Sequence, residues 1–168
     1  MRYIIIVFLF FQVFAVKANH DSLTVYIFLS ETCPICQNQT YSLRELYKEF
    51  GEKHIGFVGV FPNQEFSTNE SIVKFGKKYR LPFPLIKDDN QVLTQKLNAT
   101  ITPQVIVCQY NTNKIEYSGK IDNSFERIGR RRQVITEFYL RDALNELIQG
   151  KQVTLQATSP VGCFIIKN

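Results

Sequence analysis

Apolar and polar positions divide the chain into elements. Leu23 to Leu29 (LTVYIFL) is an unbroken β-branched and aromatic run and predicts a buried strand. Ser30 to Pro34 interrupts it. From Cys36 to Phe50 the residues Leu43, Leu46, Tyr47 and Phe50 give a helical pattern, and Gly51 closes it as a residue just past a helix end often does. Ile55 to Phe61 (IGFVGVF) is a second continuous apolar run, stopped by Pro62. Continuous runs suit strands covered on both faces, as in a parallel sheet. Strand, helix and strand in this order make a βαβ unit.

A second helix is predicted over Thr68–Tyr79, with polar starting chemistry at Asn69-Glu70-Ser71 and an apolar face of Ile72, Val73, Phe75 and Tyr79. Leu81-Pro82-Phe83-Pro84 ends it and leads into a short strand, Phe83–Ile86. Asp88-Asp89-Asn90 reads as a turn, and Gln91–Leu97 as a short helix. Two strands follow, Gln104–Gln109 and Lys114–Gly119, joined by the polar turn Asn111-Thr112-Asn113; so short a connection implies an antiparallel hairpin. Val134, Phe138, Leu140, Leu144, Leu147 and Ile148 stripe a last helix over Val134–Gln149, ended by Gly150. A tail, Lys151–Asn168, completes the chain. The pattern holds no internal repeat and no linker, so residues 19–168 are expected to form a single domain.

The segment before the first strand has a different character. Met1-Arg2 supplies a positive end, and Tyr3 to Val16 is nearly all apolar. That run is shorter than the about 20 residues a membrane span needs. Val16-Lys17-Ala18 resembles a cleavage site, so residues 1–18 are expected to be a signal peptide; the alternative is an uncleaved anchor formed by residues 3–16. Both imply export to the periplasm or cell envelope, where thiol pairs form and exchange disulfides. The 20 basic residues include Arg2 and Lys17, so 18 remain against 15 acidic ones. That surplus is too small to argue for a nucleic-acid partner. Hydrophobic residues are 45% of the chain, which excludes a disordered polymer.

Four cysteines are too few for a disulfide scaffold, and their placement carries the chemistry. Cys33-Pro34-Ile35-Cys36 lies between a predicted strand and a predicted helix. At a helix start the backbone N–H groups are unpaired and the dipole is positive, so a thiolate is stabilised there. Cys33 takes that position and is assigned as the attacking nucleophile. Cys36, one turn into the helix, is assigned as the resolving thiol, and Pro34 costs no hydrogen bond in a first turn. A zinc site would need two more ligands, and Cys108, Cys163, His20 and His54 form no second paired spacing. Haem attachment fails because residue 37 is Gln. A structural disulfide would close too short a loop to gain much entropy.

Thr102-Pro103 precedes the strand Gln104–Gln109. The proline either starts a strand without removing a ladder bond, or forms a cis peptide that packs beside the cysteine pair. Cys108, among Val and Ile, reads as a buried inert thiol, and Cys163 as either an additional redox thiol on the tail or an inert one. Arg130-Arg131-Arg132 is either a solvated charge run or an anion-docking patch. Asn38, Asn69 and Asn98 each open a glycosylation pattern, and His20 and His54 read as surface residues.

The order of strand, CxxC, helix, strand, then Thr-Pro before a hairpin and a final helix resembles the thioredoxin superfamily over Ser22–Gln149. Residues Pro62–Leu97 look like the insertion of its redoxin branch, which includes exported bacterial thiol-disulfide oxidoreductases and the peroxiredoxins. The resemblance implies an α/β thioredoxin-like fold: a central mixed sheet flanked by helices, with the redoxin insertion and a C-terminal tail. It implies Cys33 as nucleophile, Cys36 as resolving thiol, Pro103 as a cis-proline and Thr102 as a main-chain contact to substrate. The Gly150-Lys151…Gly162-Cys163 tail is similar to tails of some exported redoxin-like proteins. Thr32 stands where the superfamily often has Trp, and Ile27 where reducing members often carry an acid. Three residues before Cys33 is Ser30, which departs from the peroxiredoxin pattern.

The expected function is a cell-envelope thiol-disulfide oxidoreductase, with no cofactor. Its partners would be protein thiols or disulfides and an electron donor or acceptor. A membrane enters only if the N-terminal segment stays uncleaved. Alternatives are a thioredoxin-fold module holding a soft metal through Cys33 and Cys36, and a peroxiredoxin-like peroxidase using Cys33.

Overall fold

The computed structural model describes residues 23–63 and 65–167. The expected signal segment and His20 lie outside the described residues. The strand β1 (Leu23–Phe28) sits at the centre of a five-stranded sheet. On one side it pairs in parallel with β2 (Ile55–Phe61), which pairs in parallel with β3 (Leu85–Lys87). Across its other edge it pairs antiparallel with β5 (Gln104–Gln109), and β5 pairs antiparallel with β6 (Ile115–Gly119). The sheet order is β3-β2-β1-β5-β6.

Alternation explains why the strands read as continuous apolar runs. Val25 and Ile27 of β1, Phe57 and Phe61 of β2, and Val105 and Val107 of β5 face one core. That core is completed by Leu43, Leu46 and Phe50 of α1 (Pro34–Phe50), Ile72 and Phe75 of α2 (Asn69–Tyr79), and Leu140 and Leu144 of α4 (Tyr139–Ile148). Phe28, Val60, Ile106 and Cys108 face the opposite side, where Leu97, Ala99 and the tail residue Ile165 cover them. Burial on both faces removes any need for polar positions within a strand.

Local chemistry sets the ends of α2. Thr68 accepts from Ser71 N–H at 3.1 Å while the Ser71 hydroxyl accepts from Thr68 N–H at 2.9 Å, a reciprocal cap. The short helix α3 (Val92–Lys96) is capped by Asp88, whose carboxylate accepts from Leu93 N–H at 3.0 Å and Thr94 N–H at 2.8 Å.

One expectation is corrected and two are given their place. The last helix begins at Tyr139 rather than Val134. The Asn123 side-chain oxygen accepts from the N–H groups of Thr136 and Glu137, at 3.0 and 3.3 Å, and ties that segment to residues 122–124 outside a helix. The arginine run is exposed, as a solvated charge run would be, and sits at a small hairpin of β7 (Phe125–Arg127) and β8 (Arg130–Arg131), where Arg130 and Arg132 both reach Glu126, at 2.8 and 3.1 Å. The tail returns onto the body of the fold. Its Cys163–Phe164 segment is a strand, β9, paired antiparallel with β4 (Ile101–Thr102).

Candidate active site

Cys33 is the N-cap residue of α1, with Pro34 as the first helical residue. Ser30 ends the preceding strand run, and its carbonyl accepts from Cys33 N–H at 3.3 Å. Ser30 N–H points at the Cys36 sulfur at 3.4 Å. The loop is tied to α2 through Glu31. Its carboxylate accepts from the hydroxyls of Ser67 at 2.7 Å and Ser71 at 2.6 Å, and its carbonyl accepts from the Gln37 side chain at 2.7 Å. No sequence signal marked Glu31, because a lone acid in a turn has no spacing to distinguish it.

The segment before β5 completes the centre. The Thr102–Pro103 peptide is cis. The Thr102 carbonyl lies 3.3 Å from Cys33 Sγ and accepts its proton when the thiol is protonated. Gln104 orders this segment, its side-chain oxygen accepting from Thr100 and Ile101 N–H at 3.0 and 3.4 Å. Cys33, Cys36, Thr102 and Pro103 therefore converge, although 69 residues separate Cys33 from Thr102.

The tail brings a third thiol. Cys163 Sγ lies 2.9 Å from Cys33 Sγ, and Thr102 and Cys163 are register partners in the β4–β9 pair. Cys33 is consequently only 1% exposed, and Cys36 is fully buried. The sequence placed Cys33 at an open helix start; the structure closes that start with the tail. The fourth cysteine, Cys108, is buried mid-strand away from this cluster, and burial pushes its thiol up.

The three clustered thiols differ sharply in acidity. The Cys33 thiol is brought from an ordinary 9.0 down to about 5. The largest cause is the hydrogen bond from the Cys36 thiol; burial opposes it, and the Cys163 thiol and the N–H groups of Cys36 and Ile35 add to it. The helix terminus therefore contributes, but neighbouring thiols contribute more than the sequence implied. Cys36 is pushed well above its ordinary value by burial and by the proton it holds against Cys33. Cys163 is pushed up to about 11, by burial first and by Cys33 second. One ionised sulfur flanked by two protonated ones is an arrangement for nucleophilic thiol chemistry.

A buried polar cluster supports α1 behind the cysteines. Gln39 donates to Asp122 at 2.9 Å and to Ser124 at 2.7 Å, and Ser42 donates to Asp122 at 3.0 Å. Among the described residues no group of His, Cys, Asp or Glu is arranged to hold a metal ion. No helix among the described residues is long and apolar enough to cross a membrane. His54 and the three asparagines at 38, 69 and 98 are exposed.

A model described as the AhpC/TSA family matches residues 11–122. No curated protein matches the chain. Among solved structures, an uncharacterised conserved protein from Geobacillus kaustophilus is 25% identical with a TM-score of 0.77, over 88% of this chain and 78% of that one. A hypothetical protein from Sinorhizobium meliloti is 24% identical with a TM-score of 0.76, over 89% and 82%. A thioredoxin-like protein from Aeropyrum pernix is 18% identical with a TM-score of 0.51, over 62% and 72%.

Proposed function

Because the chain belongs to the AhpC/TSA family and has a thioredoxin-like, redoxin-type fold, we propose that it is a thiol-disulfide oxidoreductase of the cell envelope. Cys33 is its nucleophile and Cys36 its resolving thiol. The observation that carries this reading is the opposed acidity of two adjacent thiols, Cys33 down to about 5 and Cys36 raised.

The chemistry follows from that opposition. The Cys33 thiolate attacks one sulfur of a substrate disulfide, forming a mixed disulfide and releasing the first substrate thiolate. Cys33 then carries no charge. Two of the three influences that held the Cys36 proton, its hydrogen bond to Cys33 and the Cys33 charge, disappear. Cys36 ionises, attacks Cys33 Sγ and releases the second substrate thiolate. Two electrons have passed to the substrate, and the protein keeps a Cys33–Cys36 disulfide. Run backwards, the same steps oxidise a dithiol. Thr102 and Pro103 line the place where the substrate sulfur arrives, and a protein substrate would lie along the Ile101–Thr102 edge.

Two sequence features support an exported setting: the apolar segment ahead of Leu23 and a thiol pair suited to an oxidising compartment. The test is insulin reduction in a thiol-coupled assay. Cys33→Ser should abolish it. A Cys33→Ser protein that reduces insulin at the native rate removes the proposal. Peroxide consumption in the same assay measures whether a peroxidase reaction competes.

A further inference from the structure

Resting on that reading, we propose that Cys163 is the third thiol of the redox centre. It closes a disulfide with Cys33 in place of Cys36, and its strand leaves the Thr102 edge when an external disulfide is engaged.

Four observations converge on this. The Cys163 sulfur is 2.9 Å from Cys33 Sγ, within an ångström of a disulfide bond length of about 2.05 Å. Its strand pairs with Thr102, the residue whose carbonyl faces Cys33, so the tail occupies the edge that an extended substrate would use. Gly162 makes this approach possible. A Cβ there would lie 2.0 Å from the Thr102 carbonyl oxygen, so a side chain at that position is incompatible with the docked strand. The tail is also anchored on both sides of the cysteine. Thr158 N–H donates to the Ser118 carbonyl at 3.0 Å, and Ile165 N–H donates to the Thr100 carbonyl at 2.9 Å. Cys163 is thus presented to Cys33 by a bound strand rather than by chance contact.

The chemistry balances without a further reagent class. A substrate disulfide is attacked by the Cys33 thiolate, giving a mixed disulfide and one substrate thiolate. Cys163 loses its proton to that leaving thiolate and attacks Cys33 Sγ. The Cys33–Cys163 bond forms, the bond to substrate breaks, and the second substrate thiolate leaves. The substrate has gained two electrons. Attack of Cys36 on Cys33 then exchanges the bond to Cys33–Cys36 and frees Cys163, with no net electron transfer. As for Cys36, loss of the Cys33 charge in the mixed disulfide removes influences that hold the Cys163 proton.

The test uses the full chain with glutathione disulfide as the model substrate, acid quenching, alkylation and non-reducing peptide mapping. Cys36→Ser should form the Cys33–Cys163 disulfide, leaving Cys108 as its free thiol. Cys36→Ser/Cys163→Ser should stop at a stable glutathione adduct on Cys33. If Cys36→Ser instead accumulates that adduct with Cys163 alkylated, the third-thiol role is overturned, while a Cys33–Cys36 disulfide in the unaltered chain keeps the proposed function. If no disulfide forms at Cys33 in any of these proteins, both fail. A second measurement does not depend on Cys36. Gly162→Val should expose Cys33 and raise its iodoacetamide alkylation rate at least tenfold while the β1 amides stay protected from hydrogen exchange. Equal rates would overturn the covering role of the tail.

Discussion

At the scale of single residues, Cys33 has the most consequential environment. Its native pKa of about 5 lies below its ordinary 9.0. Between those values the unfolded chain holds a proton that the native chain does not. The stability of the reduced protein therefore rises with pH across that window and is lost as pH falls through about 5. Cys36 and Cys163 are shifted the other way, so their contribution is present below the ordinary 9.0 and is lost as pH rises through their raised native values, about 11 for Cys163. A series of urea midpoints against pH should slope upward through the window for the reduced protein and flatten for Cys33→Ser. A flat series for the unaltered protein would contradict the acidity ascribed to this thiol. The CxxC spacing made Cys33 and Cys36 visible in the sequence, because spacing along one helix start is local information. The partners that set the acidity of Cys33 were only partly visible, since Cys163 reaches it from 130 residues away.

At the scale of elements, the tail is the piece whose behaviour differs from the rest. Phe164 is 77% exposed and Ile166 is also exposed, while Ile165 between them is buried under β1, β2 and β5. That alternation is strand-like and puts one side chain of three into the second core. Truncating a buried Ile to Ala costs roughly 2–5 kcal/mol, and about 2 kcal/mol corresponds to about thirtyfold in an opening equilibrium. Ile165→Ala should therefore speed hydrogen exchange at the Ile165 amide by tenfold or more while leaving the β1 amides unchanged. Equal acceleration in β1 would make the tail part of the global folding unit. The sequence periodicity located α1, β2, α2 and β5 closely, since each is apolar enough to announce its own period. It placed the start of α4 five residues early, because Val134 and Phe138 continue the stripe while Asn123 claims the backbone of Thr136 and Glu137. The β4–β9 pair escaped notice because two-residue strands have no period to detect.

At the scale of the whole molecule, the sheet and its two cores hold the redox loop in place. β1 delivers the chain to Ser30, α1 carries it away, and both are packed by the same cluster. Leu43 is fully buried in that cluster, in the middle of α1. Leu43→Ala should destabilise the protein by about 2–5 kcal/mol. Circular dichroism and the fluorescence of the eight tyrosines should report one coincident transition, because the loop has no separate support. Non-coincident transitions would show that the site region unfolds on its own.

The linear order of residues determined the α/β alternation, the buried first strand, the hairpin after Pro103 and the thiol pair at a helix start. Each of these depends on neighbours within a few turns or a few strand positions, so the information lies in a short window. Tertiary structure alone decided that Cys33 is covered, that Thr102 and Cys163 face it, and that Glu31 and Gln104 hold the surrounding loops. Those contacts join side chains and backbone edges from separate elements. Their geometry exists only after the sheet has brought the ends of β1 and β5 together and the tail has returned across them.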